Sequence, residues 1–232
     1  RSIGLSSCCR LLVGGLAGVR GELSNDTLTF NNFDNFAVAA SGSASVSYNE
    51  VGIIDIQAEL VDSNDDPLSY RGTDVIRGVV NDVGRFYPRR FDVLSTMLLP
   101  RIDASCVPPS IFTYMDEPFA IELELVARNT QGATTVNYRG GFAKLSAYTD
   151  LNFRAIEEVA SADNNDLSAR LNNVSVATDY EADWSAVQGG ELALEGNLAF
   201  GRADPADPDG PFADLKIAFV PIDSDGVTLD PN

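Results

Sequence analysis

The run Phe119-Ala-Ile-Glu-Leu-Glu-Leu-Val-Ala127 constrains the fold more than any other stretch. Phe119, Ile121, Leu123, Leu125 and Ala127 fall on one face, and Ala120, Glu122, Glu124 and Val126 on the other. A helix cannot gather residues of period two into one apolar stripe, so the run predicts a strand with one face on a core and one in water. Arg128-Asn-Thr-Gln-Gly132 follows as a turn and Ala133-Thr-Thr-Val-Asn-Tyr138 as a second β-prone run. Strand, Asn/Gly turn and strand together predict a β-hairpin.

The same period recurs along the chain. Ile54, Ile56, Ala58 and Leu60 share a face of 53–60, and Leu192, Leu194, Leu198 and Phe200 point inward from 191–200. Residues 171–180 and 215–220 read as further strands, 151–160 as a short helix or a strand, and Trp184 as core. Short strands between Asn, Asp, Gly and Pro turns predict an all-β chain of two antiparallel immunoglobulin-like sandwiches. Paired prolines cannot sit in a central strand, so Arg101 to Pro109 is the expected boundary. It divides a sandwich over 24–104 from one over 105–232. Residues 1–23 stand apart as an extension, in which Leu11-Leu-Val-Gly-Gly-Leu-Ala-Gly-Val19 is a candidate edge strand or a strand donated to a neighbouring subunit.

Charge and missing side chains narrow the chemistry. The chain carries 16 Lys and Arg against 34 Asp and Glu, a net charge of −18. Such a surface repels phosphate backbones and anionic lipid, which argues against nucleic-acid and membrane-surface roles. Histidine is absent, which removes Ser-His-Asp and Cys-His nucleophiles and metal sites built on imidazole. No apolar run reaches the ~20 residues of a membrane-spanning helix. Cys8, Cys9 and Cys106 are too few for a zinc ribbon. Three arrangements stay open for them: one bridge from Cys106 to Cys8 or Cys9, with Cys9–Cys106 taken as the pair, a strained bridge between the adjacent Cys8 and Cys9, or free thiols.

Three groups of residues are candidate sites, each with a plainer reading beside it. Acidic loops hold Asp62, Asp65 and Asp66, then Asp207 and Asp209, then Asp223 and Asp225. Calcium takes such carboxylates with backbone carbonyls, so Asp209, Asp223 and Asp225 are the candidate ligands; the plainer reading is that Asp and Gly form turns. Glu122 and Glu124 lie about 7 Å apart on one strand face, the spacing region of glycosidase pairs, but such a pair is the ordinary wet face of a sheet and no enzyme is expected. Arg85, Phe86 and Tyr87 could stack a sugar ring and bind its acidic groups. The competing account buries the aromatics and pairs the arginines with the chain's many carboxylates.

Three passages resemble a known family. Val51-Gly52 with Val83-Gly-Arg-Phe-Tyr-Pro-Arg-Arg-Phe91 is one. Phe112-Thr-Tyr-Met115, Pro118-Phe119, Ala127-Arg-Asn129, Gly132, Thr135 and Asn137-Tyr138-Arg-Gly140 form the second, and Asp209-Gly-Pro-Phe212 with Asp223-Ser-Asp-Gly-Val227 the third. In this order, over roughly residues 45–230, they are similar to the C-terminal domain of MshQ-like proteins, associated with biogenesis of the mannose-sensitive haemagglutinin type IV pilus. The resemblance implies a secreted, surface-exposed bacterial protein working with pilus or filament subunits, and it brings no ligand or catalytic residues. The expected function is a structural or adhesive module, assembling with subunits or with itself by strand addition. A carbohydrate-binding module at a pilus tip, recognising surface glycans, is the alternative.

Overall fold

The computed structural model describes residues 9–14, 23–24, 29–31, 41–43, 46–61, 64, 66–69, 72–75, 77–100, 113–158, 164–176, 184, 189–203, 209–212 and 214–230. The chain is all-β and forms two compact units, Arg1–Tyr87 and Pro88–Asn232. The expected boundary at 101–109 lies outside the described residues. Residues 90–99 pair with residues 120–128 within the second unit.

In the first unit the strands are β1 (Cys9–Gly14), β2 (Leu23–Ser24), β3 (Thr29–Asn31), β4 (Ser41–Ser43), β5 (Ser47–Tyr48), β6 (Gly52–Leu60) and β7 (Arg77–Phe86). They form an antiparallel sheet β1-β6-β7 and two ribbons, β2-β5 and β3-β4. β1 pairs with β6 of its own chain, from Cys9 opposite Leu60 to Gly14 opposite Asp55. Leu11 to Gly14 thus lie on the outer strand of a sheet of their own chain; residues 15–19 lie outside the described residues. Along β6 the predicted inward face holds at Ile54, which is buried, but not at the far end. There Glu59 is the buried residue, held by Arg77 Nε at 2.7 Å and by Gln57 Nε2 at 2.9 Å. Two register shifts between β6 and β7 place their extra residues in β7, while β6 stays in unbroken register with β1 from Asp55 to Leu60.

In the second unit the strands are β8 (Arg90–Leu99), β9 (Pro118–Arg128), β10 (Arg154–Glu157), β11 (Asn165–Asp166), β12 (Leu171–Asn173), β13 (Glu191–Phe200) and β14 (Leu215–Ala218). They build an antiparallel sheet β12-β13-β9-β8 and a smaller one, β11-β10-β14. Alternation is realised as predicted: Phe119, Ile121, Leu123, Leu125 and Ala127 of β9 are buried, as are Leu192, Leu194, Leu198 and Phe200 of β13. The hairpin is not. β9 lies between β8 and β13, and the 133–138 run meets only its last residues, through the bridge Arg128–Thr134 and the Thr135 N–H donated to the Ala127 carbonyl at 3.0 Å. Asn129 causes the departure, since its side-chain oxygen accepts from the N–H groups of Gln131 and Ala133 and coils the chain into a local turn. Residues 154–157 of the ambiguous stretch are strand.

Candidate functional site

The two ends of β9 are built differently, and each gathers residues from distant parts of the sequence. At the Arg128 end Phe91, Tyr138 and Trp184 form a fully buried aromatic cluster, with ring centroids 5.5 Å (Phe91–Tyr138), 5.5 Å (Phe91–Trp184) and 4.7 Å (Tyr138–Trp184) apart. The polar atoms of these rings are matched. Trp184 Nε1 donates to the Leu145 carbonyl at 2.8 Å, and the Tyr138 hydroxyl donates to Asp223 Oδ2 at 2.8 Å while accepting from the N–H groups of Lys144 and Leu145. The other Asp223 oxygen accepts from the N–H groups of Asp225 and Val227. The second and third passages of the family resemblance thus meet here as a closed clasp.

Burial, with Asp223 beside it, pushes the Tyr138 phenol well above its ordinary range and keeps it a protonated donor. Burial also raises the Asp223 carboxyl, although Tyr138 and the two turn N–H groups pull it back toward ionisation. Of the three candidate calcium ligands, Asp223 and Asp225 share this turn, whereas Asp209 belongs to the other end of the unit. Among the described residues no group of three His, Cys, Asp or Glu side chains is placed to hold a metal ion.

At the Pro118 end the core is open. A cleft of about 760 Å³ is floored by Phe119 of β9 and Phe200 of β13, and flanked by Leu98 of β8 and by Leu215 and Ile217 of β14. β8 and β14 are the outermost strands of their two sheets, so the cleft lies between two sheet edges. Its wall comes from the remaining halves of the resemblance motifs. Thr113, Tyr114 and Met115 line it, as do Asp209, Gly210, Pro211 and Phe212. Gly210 lies at φ +87° with an ideal Cβ position 2.9 Å from Met115 Cε, so a side chain there would strain the backbone and strike the opposite wall.

Arg170 fixes this wall. Its guanidinium stands 4.6 Å from the Phe200 ring centre and 5.1 Å from that of Phe212, within cation–π range. Its Nε donates to the Gly201 carbonyl at 2.8 Å, and its Nη2 pairs with Asp209 Oδ2, which also accepts from the Ala203 N–H. Among the described residues, Asp209 Oδ1 is buried and has no hydrogen-bond partner. A buried acceptor left unmatched costs about 1–3 kcal/mol, so this atom favours a donor arriving through the cleft. Arg170 had no local signal in the sequence; only the meeting of three segments reveals it.

The other sequence candidates fall elsewhere. In the first unit Phe86 packs against Tyr48 at 5.2 Å, and Tyr87 is the exposed ring at 58%. Glu122 and Glu124 share the outer face of β9, Glu122 standing opposite Glu195 of β13 and Met97 of β8. Cys9 begins β1, but Cys106 lies outside the described residues, and so does the pairing Cys9–Cys106. Asp62, Asp65 and Asp207 lie outside them as well. No helix among the described residues is long and apolar enough to cross a membrane. A family model described as DUF6701, third domain, matches residues 50–232. No curated protein and no solved structure matches the chain.

Proposed function

The chain belongs to the family of the DUF6701 third domain, and for this member we propose an extracellular structural or adhesive role in a pilus-associated or filament-forming bacterial surface protein. The observation that carries the reading is the outer strand β8. Val93, Leu94, Met97, Leu98 and Leu99 are all 40–49% exposed along it, a row of apolar side chains on both faces of a sheet edge. Such a row is the physical signature of a surface that another polypeptide covers. Immunoglobulin-like sandwiches are the frame we assign to this role, because they present strand edges and loops at fixed positions. The test is light scattering and electron microscopy of the purified chain beside a Met97→Lys, Leu99→Lys double variant. Ordered oligomers or filaments that the variant loses support the role; a monodisperse monomer at all concentrations removes it.

One observation favours the carbohydrate-binding alternative, the exposed ring of Tyr87, which in sequence lies two residues from Arg85 and from Arg89. Glycan binding that free sugar competes away and Tyr87→Ala abolishes would put this reading first.

A further inference from the structure

β8 does more than expose apolar residues. At its start the outer edge already carries a single bridge: the Phe91 N–H donates to the Thr228 carbonyl at 2.9 Å, and Phe91 bridges Leu229 in parallel orientation. Beyond that bridge, among the described residues, β8 pairs only with β9. The stretch 93–99 spans about 20 Å at ~3.3 Å per residue and leads to the cleft, where Leu98 stands opposite Ile121 on the inward face. On the outward face Met97 stands opposite Glu122, which itself faces Glu195. Like charges directly opposite repel, so this face favours a cation beside it.

From these placements we infer that the β8 edge and the cleft together accept an added β-strand: an extended segment of a partner polypeptide with apolar side chains on its inward face and Lys or Arg on its outward face. Main-chain hydrogen bonds to 93–99 supply the pairing, and inward apolar side chains fill the space over Leu98 and Phe119. A donor on the segment satisfies Asp209 Oδ1. The facing carboxylates Glu122 and Glu195 and the net charge of −18 favour a segment that brings cations to this outward face. The inference rests on the assembly role proposed above and names its partner.

The probe is a peptide alternating Val and Lys, as long as the exposed stretch of β8, with a control of the same composition in blocks. Hydrogen exchange of the whole chain is followed with each. The alternating peptide is expected to slow exchange of the outward-facing amides of 93–99 by about tenfold, and the block peptide to leave them unchanged. Leu98→Lys is expected to lose this protection while keeping the parent thermal midpoint, since Leu98 is 44% exposed. Equal protection by both peptides, protection of other segments instead, or protection that survives Leu98→Lys would overturn the strand slot. Light scattering keeps the two proposals apart. Assembly of the chain without β8 protection sinks the slot and leaves the assembly role, whereas β8 protection in a chain that forms no assembly does the reverse.

Discussion

The two ends of β9 place an aspartate on the core in opposite ways. Asp223 has every oxygen matched: Tyr138 takes one and two turn N–H groups take the other. Asp209 has one oxygen held by Arg170 and the Ala203 N–H, and one buried with no partner among the described residues. Burial follows the same division. Near Arg128 both faces of β9 are covered, since Val126 is buried along with Leu125 and Ala127. Near Pro118 the inward side chains floor a cleft. A strand end with matched polar groups and filled space is a joint. One with an unmatched acceptor and an apolar floor is a place for something else to bind.

The difference breaks most visibly at the clasp. Trp184→Ala removes a fully buried ring from between Phe91 and Tyr138 and is expected to cost about 3–5 kcal/mol, read from denaturant unfolding. Tyr138→Phe keeps the ring but strands Asp223 Oδ2 and the N–H groups of Lys144 and Leu145, an expected loss of about 2–3 kcal/mol. A cost under about 0.5 kcal/mol for either would mean the clasp is not what closes this end.

The pH dependence of the clasp carries a definite sign. Because the folded state raises the Asp223 pKa, it holds that proton more tightly than the unfolded chain does. The stability so contributed is full below the ordinary carboxylate value and is lost as pH rises through the raised one. The advantage of the parent chain over Asp223→Asn should therefore shrink as pH rises from acid toward neutral. An advantage that grows over that range would show that the three hydrogen bonds outweigh burial.

How much of this contrast the residues announce depends on range. β9 and β13 are legible because period two needs no knowledge of partners, and the buried faces of both follow from Phe119 to Ala127 and Leu192 to Phe200 directly. Which strands flank β9 is not legible, since pairing with β8 and β13 is long-range. The β-prone 133–138 run offers a nearer partner, which the side chain of Asn129 then rules out by coiling the chain first. β8 escapes notice for a different reason. Val93, Leu94, Met97, Leu98 and Leu99 do not alternate, because a bulge between Val93 and Ser95 shifts the register and the strand is exposed on both faces. Of the cleft, the resemblance motifs marked Tyr114, Met115 and Asp209 to Phe212 without showing that they meet, and Arg170 belonged to no motif.

The open end should be the more forgiving one. Arg170→Ala leaves the half-buried Asp209 without its cation and the faces of Phe200 and Phe212 unstacked, and is expected to cost about 2 kcal/mol after allowance for solvent. Asp209→Asn keeps an acceptor for the Ala203 N–H and removes the unmatched charge, so about 1 kcal/mol or less is expected. If Asp209→Asn proved as damaging as Tyr138→Phe, the two ends would be equivalent joints and the cleft would lose its distinction.

Calcium supplies the smallest expected effect and the finest test of the contrast. A cation at the Asp223-Ser-Asp-Gly226 turn would have to displace Tyr138 from one Asp223 oxygen and the Asp225 and Val227 N–H groups from the other. It would then leave the Tyr138 hydroxyl buried without its acceptor. A site of the weak extracellular kind, with Kd near ~1 mM, would add about 1.4 kcal/mol at about 10 mM calcium, and so raise the thermal midpoint by about 3–5 °C. The expected shift is instead within about 1 °C, with or without chelator, because those hydrogen bonds cost more to break than weak binding returns. A larger shift that Asp223→Asn abolishes would mean that the closed end opens for a cation, and that Asp223 as well as Asp209 is held ready for a ligand.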